Sequence, residues 1–261
     1  KQFDIHGGGM DLKFPHHECE IAQGTALTGV EPVRYWMHSN MLTVNGQKMS
    51  KSLGNSFLPS ELFAGSHPLL EQAYSPMTVR FFMLQSQYRS TLDFSNEALK
   101  GSQKAFRRLI NGLRISKTLV FEPDNEVVID EKKKADIEKA IQTFYEAMND
   151  DLNTAVAIAQ LFTLLKYINM VYMNQLKPAA LGEETFSELV RLFSVFIEDI
   201  LGLKEEKNDS DASVLAGMLE LYKEYKSAQQ YDKVDQIRAY FKDNGMVIKD
   251  LRHRIDWAWE E

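Results

Sequence analysis

Apolar positions recur with two different periods along the chain, and the switch between them divides it. Over residues 1–56, short apolar runs alternate with glycine-bearing turns. Phe3-Asp4-Ile5 predicts a short strand, residues 15–28 a helix, and Tyr35-Trp36-Met37-His38 a second strand. Met41-Leu42-Thr43-Val44 followed by Asn45-Gly46 predicts a hairpin, because Asn-Gly suits a two-residue turn with positive φ. From about Ser60 the spacing becomes helical. Val79, Phe82 and Met83 mark a helix over 77–88, and residues 95–118 predict a long one interrupted only by Gly101 and Gly112. Pro123 within the acidic stretch 122–131 marks a linker, and amphipathic helices are predicted over 131–149, 152–175 and 183–203. A polar stretch at 204–213 is the next boundary. Two helices, 212–227 and 230–244, follow, the second stopping at Asn244-Gly245. Met246-Val247-Ile248 reads as a short strand, and Trp257 and Trp259 lie near the end.

Composition narrows the class. With 44% hydrophobic and 26% charged residues, the 261-residue chain has a globular balance, which excludes global disorder and collagen-like repeats. The single cysteine, Cys19, rules out an internal disulfide scaffold and makes a reducing, cytoplasmic setting the default. No apolar run approaches the roughly 18 residues of a membrane span, so no membrane partner is expected. A net charge of −7 argues against a surface basic everywhere, but local patches decide nucleic-acid binding. Lys1 to His6 enters a strand at once, without an initiator Met, and that strand ends in glycines that need neighbouring strands. A piece of a longer chain is therefore expected.

The candidate chemistry is concentrated before residue 56. In Pro15-His16-His17-Glu18-Cys19-Glu20, His16 and Glu20 are four apart and share a helix face. An imidazole and a carboxylate so held can ligate zinc, or can simply form a solvated first turn. Gly7-Gly8-Gly9 followed by Asp11 offers amides and a carboxylate, which suits a ribose hydroxyl but equally a tight strand-to-helix turn. His6-Gly7-Gly8-Gly9 also resembles the oxyanion loop of lipases, yet no Gly-x-Ser-x-Gly elbow exists to supply a nucleophile. Lys48-Met49-Ser50-Lys51-Ser52, continued by Leu53-Gly54-Asn55, places two lysines where they can offset charge building on a leaving pyrophosphate.

That pentapeptide is identical to the signature loop of class I aminoacyl-tRNA synthetases. Residues 3–18, from Phe3-Asp4-Ile5-His6 to Pro15-His16-His17-Glu18, closely resemble the cysteinyl-tRNA synthetases. Further matches are Tyr35-Trp36-Met37-His38, Tyr88-Arg89-Ser90, Asp150-Asp151-Leu152-Asn153-Thr154, and the tail positions Arg238, Gly245, Asp250 and Trp257. The resemblance runs through the whole chain but covers only about the C-terminal half of the family's usual length.

The resemblance implies a mainly α protein with a small α/β part. Residues 1–56 would be the remnant of a Rossmann-type catalytic domain, and 57–118 a connecting helical domain. Residues 119–204 would be a helical-bundle tRNA-binding domain, and 205–261 a small anticodon-binding subdomain. The family activates cysteine with Mg-ATP and passes it to tRNA(Cys), and a monomer is expected. Lys48 and Lys51 would be catalytic; Lys51, Gly9, Asp11 and His6 would contact ATP or substrate. His16 and Glu20 would be two of four zinc ligands, the family's two cysteine ligands lying outside this sequence, so the zinc site is incomplete here and the chain alone is expected to be inactive.

Arg238, Asp250 and Trp257 would meet the anticodon end of tRNA. For Trp257 and Trp259, stacking on bases and pinning a small subdomain are equally open. The helix over 95–118, with Lys100, Lys104, Arg107, Arg108, Arg114 and Lys117 against Glu97, is a candidate phosphate-neutralising face or an ordinary solvated one. Two other functions remain open. One is a mycothiol-pathway cysteine ligase, against which the tail after 204 speaks; the other is a non-catalytic tRNA-binding module.

Overall fold

The computed structural model describes residues 2–206, 209–251 and 254–260. Its contacts group the chain into two compact units, residues 1–100 with 147–155 and residues 101–146 with 156–261. This grouping cuts the chain differently from the four-part division expected from sequence texture. One physical reason is that helix α4 (Asn96–Ser116) runs unbroken through the point where the units part.

In the first unit, strand β1 (Phe3–Gly9) lies parallel to β2 (Val33–Ser39), with Phe3 opposite Val33 and Gly9 opposite Ser39. Helix α1 (Glu18–Thr28) connects them. The predicted strand over residues 3–5 continues through all three glycines. Close approach explains Gly8, where a Cβ would stand 2.7 Å from His17 Cε1. Phe3, Ile5 and Tyr35 keep large exposed surfaces on this small sheet.

The expected hairpin forms from β3 (Leu42–Val44) and β4 (Gln47–Lys48), with Asn45 and Gly46 both at positive φ. The periodicity missed β5 (Leu92–Phe94), which pairs in parallel with β3. Asp93 ties the two together, accepting from Thr43 Oγ1 at 2.6 Å and from the Gly46 amide at 2.8 Å. Helices α2 (Pro59–Ala64) and α3 (Pro76–Leu84) each begin with proline, which needs no N–H partner there. Ser75 caps α3 through the Thr78 amide. Val44, Leu62, Tyr74, Val79, Phe82, Phe94 and Leu99 form this unit's core.

The second unit contains most of α4, α5 (Glu131–Asn149) up to residue 146, α6 (Thr154–Tyr172) from residue 156, and α7 (Glu183–Val195). A wide helical turn, Phe196–Ile200, extends α7 most of the way along its predicted span. Phe144 and Phe196 stack at 3.7 Å with rings 4° apart, both fully buried. Gly112 lets α4 approach α6 so closely that a Cβ there would overlap Leu165. By length and composition alone α6, at mean hydropathy 1.4, passes as a membrane span, contrary to the expectation that no apolar run reaches that length. Its Leu161, Leu164, Leu165 and Ile168 are buried in this unit's core, as expected of a bundle helix.

The tail comprises α8 (Asp209–Ser227), α9 (Tyr231–Asp243) and an antiparallel pair, β6 (Met246–Asp250) and β7 (Ile255–Trp259). Gly245, at φ +69°, supplies the left-handed stop after α9. Strand β7 goes beyond the elements expected from the sequence, where Trp257 and Trp259 are its marked residues. Asn111 on α4 pairs with Trp259 like a strand neighbour, donating to its carbonyl at 3.1 Å and accepting from its amide at 2.9 Å. Arg107 donates to the Glu260 carbonyl and Arg114 to that of Trp257.

Candidate active site

Strand β1, the wide turn Lys13–His17, the start of α1 and strand β2 bring five aromatic rings and a carboxylate together. His16 Nε2 lies 3.2 Å from Glu20 Oε1, as their spacing predicts, and His6 Nε2 lies 3.6 Å from the other carboxylate oxygen. His17, the buried member, shares a hydrogen bond with His38 through Nδ1 and Nε2 at 2.8 Å. Trp36 packs beside His6 and His17, at 4.8 and 4.9 Å between ring centroids. Burial pushes the His17 imidazole below its ordinary pKa, and neighbouring His6 and His38 add to that. The shift favours the neutral imidazole, in which one ring nitrogen keeps a lone pair.

Sequence reasoning singled out His6, His16 and Glu20 but missed His17, Trp36 and His38 as members of the same cluster. Their strand and helix positions were legible; the meeting of the two elements was not. His6, His17 and Glu20 present ligand atoms within 4.8 Å of one another. Two imidazoles and a carboxylate form a nitrogen and oxygen donor set that suits zinc. Trp36 Nε1 is buried beside them with no hydrogen-bond partner among the described residues, a donor open to a bound molecule. Asp11 follows in the turn Met10–Leu12, its carboxylate placed where a Cβ on Gly9 would fall.

The lysine loop is built on the other sheet. Lys48 ends β4, Met49 packs against the first unit's core, and Lys51 opens a short turn, Lys51–Leu53. Ser50 caps that turn by accepting from the Leu53 amide, and Gly54 closes it at φ +66°. Buried Asn55 pins the loop from below, accepting from the Ser50 amide at 2.8 Å and donating to the Lys48 carbonyl at 3.1 Å. The backbone is thus fixed while both ammonium groups remain exposed. Asn55 follows the signature directly, yet nothing in its residue type marked it as the anchor.

In the tail, Arg238 and Asp250 meet around Tyr222. Tyr222 donates to Asp250 at 3.2 Å and accepts from Arg238 at 2.7 Å, while Lys226 donates to Asp250 at 2.6 Å. Trp257 takes no part in these hydrogen bonds: it is buried with Tyr222 in the tail core, with the Arg114 guanidinium 3.6 Å from its ring centre. Of the two roles open to it, this packing supports pinning the tail. The basic face of α4 is also largely engaged. Arg107 and Arg114 hold the tail, and Lys100 and Lys117 pair with Glu71 and Glu198.

The hydrogen bond from Lys226 holds the Asp250 carboxyl below its usual pKa, helped by Tyr222 and Arg238. A depressed carboxyl stabilises the fold above its unfolded pKa, and that contribution disappears as pH falls through the folded value. Asp250→Asn should therefore lower the thermal midpoint near neutral pH. As pH falls below the ordinary carboxylate range and through the lowered folded value, the wild-type carboxyl protonates and the two proteins should converge. A gap in midpoint that stayed constant from pH 6 to pH 2 would remove Asp250 from this role.

Comparison with known proteins agrees with the geometry. Residues 1–104 match the family of class I (C) tRNA synthetase catalytic domains, and residues 143–205 match the DALR domain. A cysteine-tRNA ligase of Cytophaga hutchinsonii is 55% identical over 259 residues, covering 99% of this chain and 52% of the relative. One from Bacteroides thetaiotaomicron is 45% identical, covering 98% and 52% respectively. Among solved structures, an Agrobacterium radiobacter K84 LeuRS, in a ternary complex with tRNA and LeuAMS, superposes with a TM-score of 0.50. At 18% identity, covering 76% of this chain and 27% of that one, this likeness concerns the fold alone. Signature loop, parallel strand pair and matched family model together mark residues 1–104 as similar to a class I tRNA synthetase catalytic domain. Over nearly its whole length the chain is similar to cysteine-tRNA ligases. It spans about half the length of the curated relatives it matches.

Proposed function

We propose that this chain works as part of a cysteine-tRNA ligase, which joins cysteine to ATP as an adenylate with loss of pyrophosphate and then transfers it to tRNA. The lysine loop carries this reading. An identical signature pentapeptide, with its backbone pinned by Asn55 and Lys51 exposed, suits an ammonium that must meet a polyphosphate. Lys51 and Lys48 neutralise charge as pyrophosphate leaves. Gly9 and Asp11 hold the ribose, and His6 faces the substrate. The exposed apolar positions Phe3, Ile5 and Tyr35 suit a strand pair that packs within a larger nucleotide-binding sheet.

Zinc, which the resemblance implies, fits the donors present. His16 and Glu20 would hold it, with His6 and His17 in the same cluster. When bound, it supplies selectivity, because a thiolate ligates zinc far better than a hydroxyl. The helices after residue 100, including the DALR match, would serve the tRNA, with Arg238 and Asp250 on the anticodon side and Trp257 holding that region together. The direct test is cysteine-dependent exchange of pyrophosphate into ATP, followed by charging of tRNA(Cys), with the full-length ligase that contains this chain.

A further inference from the structure

The loop between α5 and α6 holds two adjacent non-glycine residues in the left-handed region, Asp151 at φ 56° and Leu152 at φ 54°. Such backbone is unfavourable and persists where surrounding contacts over-determine it. Here the contacts converge on one side chain. Asp151 Oδ1 accepts from the Tyr88 hydroxyl at 2.6 Å, and Oδ2 accepts from Gln87 Nε2 at 3.1 Å and from Arg89 Nη2 at 2.7 Å. Arg89 Nε also donates to the Tyr88 hydroxyl, at 3.3 Å. The backbone of the same turn is gripped from the opposite side. Asn40, directly after β2, donates from its amide to the Tyr88 carbonyl at 3.0 Å and from Nδ2 to the Arg89 carbonyl at 2.8 Å.

This clamp has a consequence for the active site. Arg89 lines, with Met10, Lys13, His17, Trp36 and His38, a cleft of about 380 Å³. Two nitrogens of its planar fork are taken by Tyr88 and Asp151, which fixes the plane of the guanidinium. Its Nη1 has no protein partner among the described residues, and the side chain is 60% exposed. A guanidinium fixed on one edge and open on the other is suited to an oxyanion. We propose that Asp151 is a positioning residue that holds Arg89 at the rim of the histidine cleft as the receptor for an oxyanion. That oxyanion is either the substrate carboxylate or a phosphate of the tRNA acceptor end. The inference rests on the ligase reading above and adds an anion-recognition residue to that site, controlled from the α5–α6 loop.

The test is a double-mutant cycle in the full-length ligase, using Arg89→Ala, Asp151→Ala and the pair. Each single change should raise one KM about tenfold, the scale of a lost charged hydrogen bond, with kcat within about threefold of wild type. A carboxylate ligand shows as a raised cysteine KM in pyrophosphate exchange. A phosphate ligand shows as a raised tRNA KM in charging, with exchange unchanged. Because Asp151 acts through Arg89, the double variant should be no worse than Arg89→Ala alone. Arg89→Lys should recover part of the loss by keeping the charge. If Asp151→Ala does not fold, Asp151→Asn and Tyr88→Phe carry the same test through weaker versions of the clamp. The proposal is overturned if the Asp151 effect adds in full to that of Arg89→Ala, or if every kinetic parameter moves together with the thermal midpoint. Wild-type protein unable to charge tRNA would instead refute the ligase reading, and this inference with it.

Discussion

Replacing Lys51 with alanine in the full-length ligase is expected to slow cysteine-dependent pyrophosphate exchange by about 10²–10³-fold, comparable to removing one oxyanion-hole donor. The cysteine KM should stay close to the wild-type value. Charge on the leaving pyrophosphate develops in the transition state, so a group stabilising it acts on rate more than on ground-state binding. The structure supports an effect confined to the side chain. The loop backbone is held by Asn55 on both sides and capped by Ser50, so removing an exposed ammonium should leave it in place. Exchange at the wild-type rate in this variant would take Lys51 out of the reaction.

The second large effect is expected at Trp257. Its indole is 7% exposed, packs with Tyr222, Val234, Ile237, Phe241 and Met246, and carries the Arg114 guanidinium on its face. Trp257→Ala should destabilise the second unit by roughly 3–5 kcal/mol, the usual cost of truncating a buried aromatic. The hydrogen bonds that Asn111 and Arg114 make to β7 should loosen with it. Trp257→Phe should keep most of the stability, because it fills much of the same space. Thermal unfolding of the chain without tRNA decides the matter. A normal midpoint, with only tRNA affinity reduced, would mean that the ring serves as a stacking face and not as an anchor.

What could be read from the sequence was local. Helical periodicity placed α4 to α9 within a few residues, Asn45-Gly46 announced the hairpin, and the spacing of His16 and Glu20 put them in contact. The signature loop was recognisable as a run of five residues. The misses were all contacts between distant segments. Strand β5 is three residues long and acquires its identity from pairing with β3, about 50 positions earlier. Glycines 7–9 read as a loop because their composition is that of a turn, whereas close packing against His17 is what requires Gly8.

The same limit governed the sites. His17, Trp36 and His38 become neighbours when β1, α1 and β2 pack together, and Asp151 finds Tyr88 and Arg89 across more than 60 residues. The basic residues of α4 looked free for phosphate because their partners, Glu71, Glu198 and the backbone of the tail, are far away in sequence. Periodicity reports which face of an element is apolar. It carries no record of what the polar face will meet.

The ligase reading is tested most directly by pyrophosphate exchange with the full-length protein, run with cysteine and serine side by side. Exchange should depend on cysteine and proceed far more slowly with serine, and the same preparation should then charge tRNA(Cys). Exchange driven equally by serine, or a cysteine-dependent adenylate that passes to an amino-sugar and never to tRNA, would contradict it.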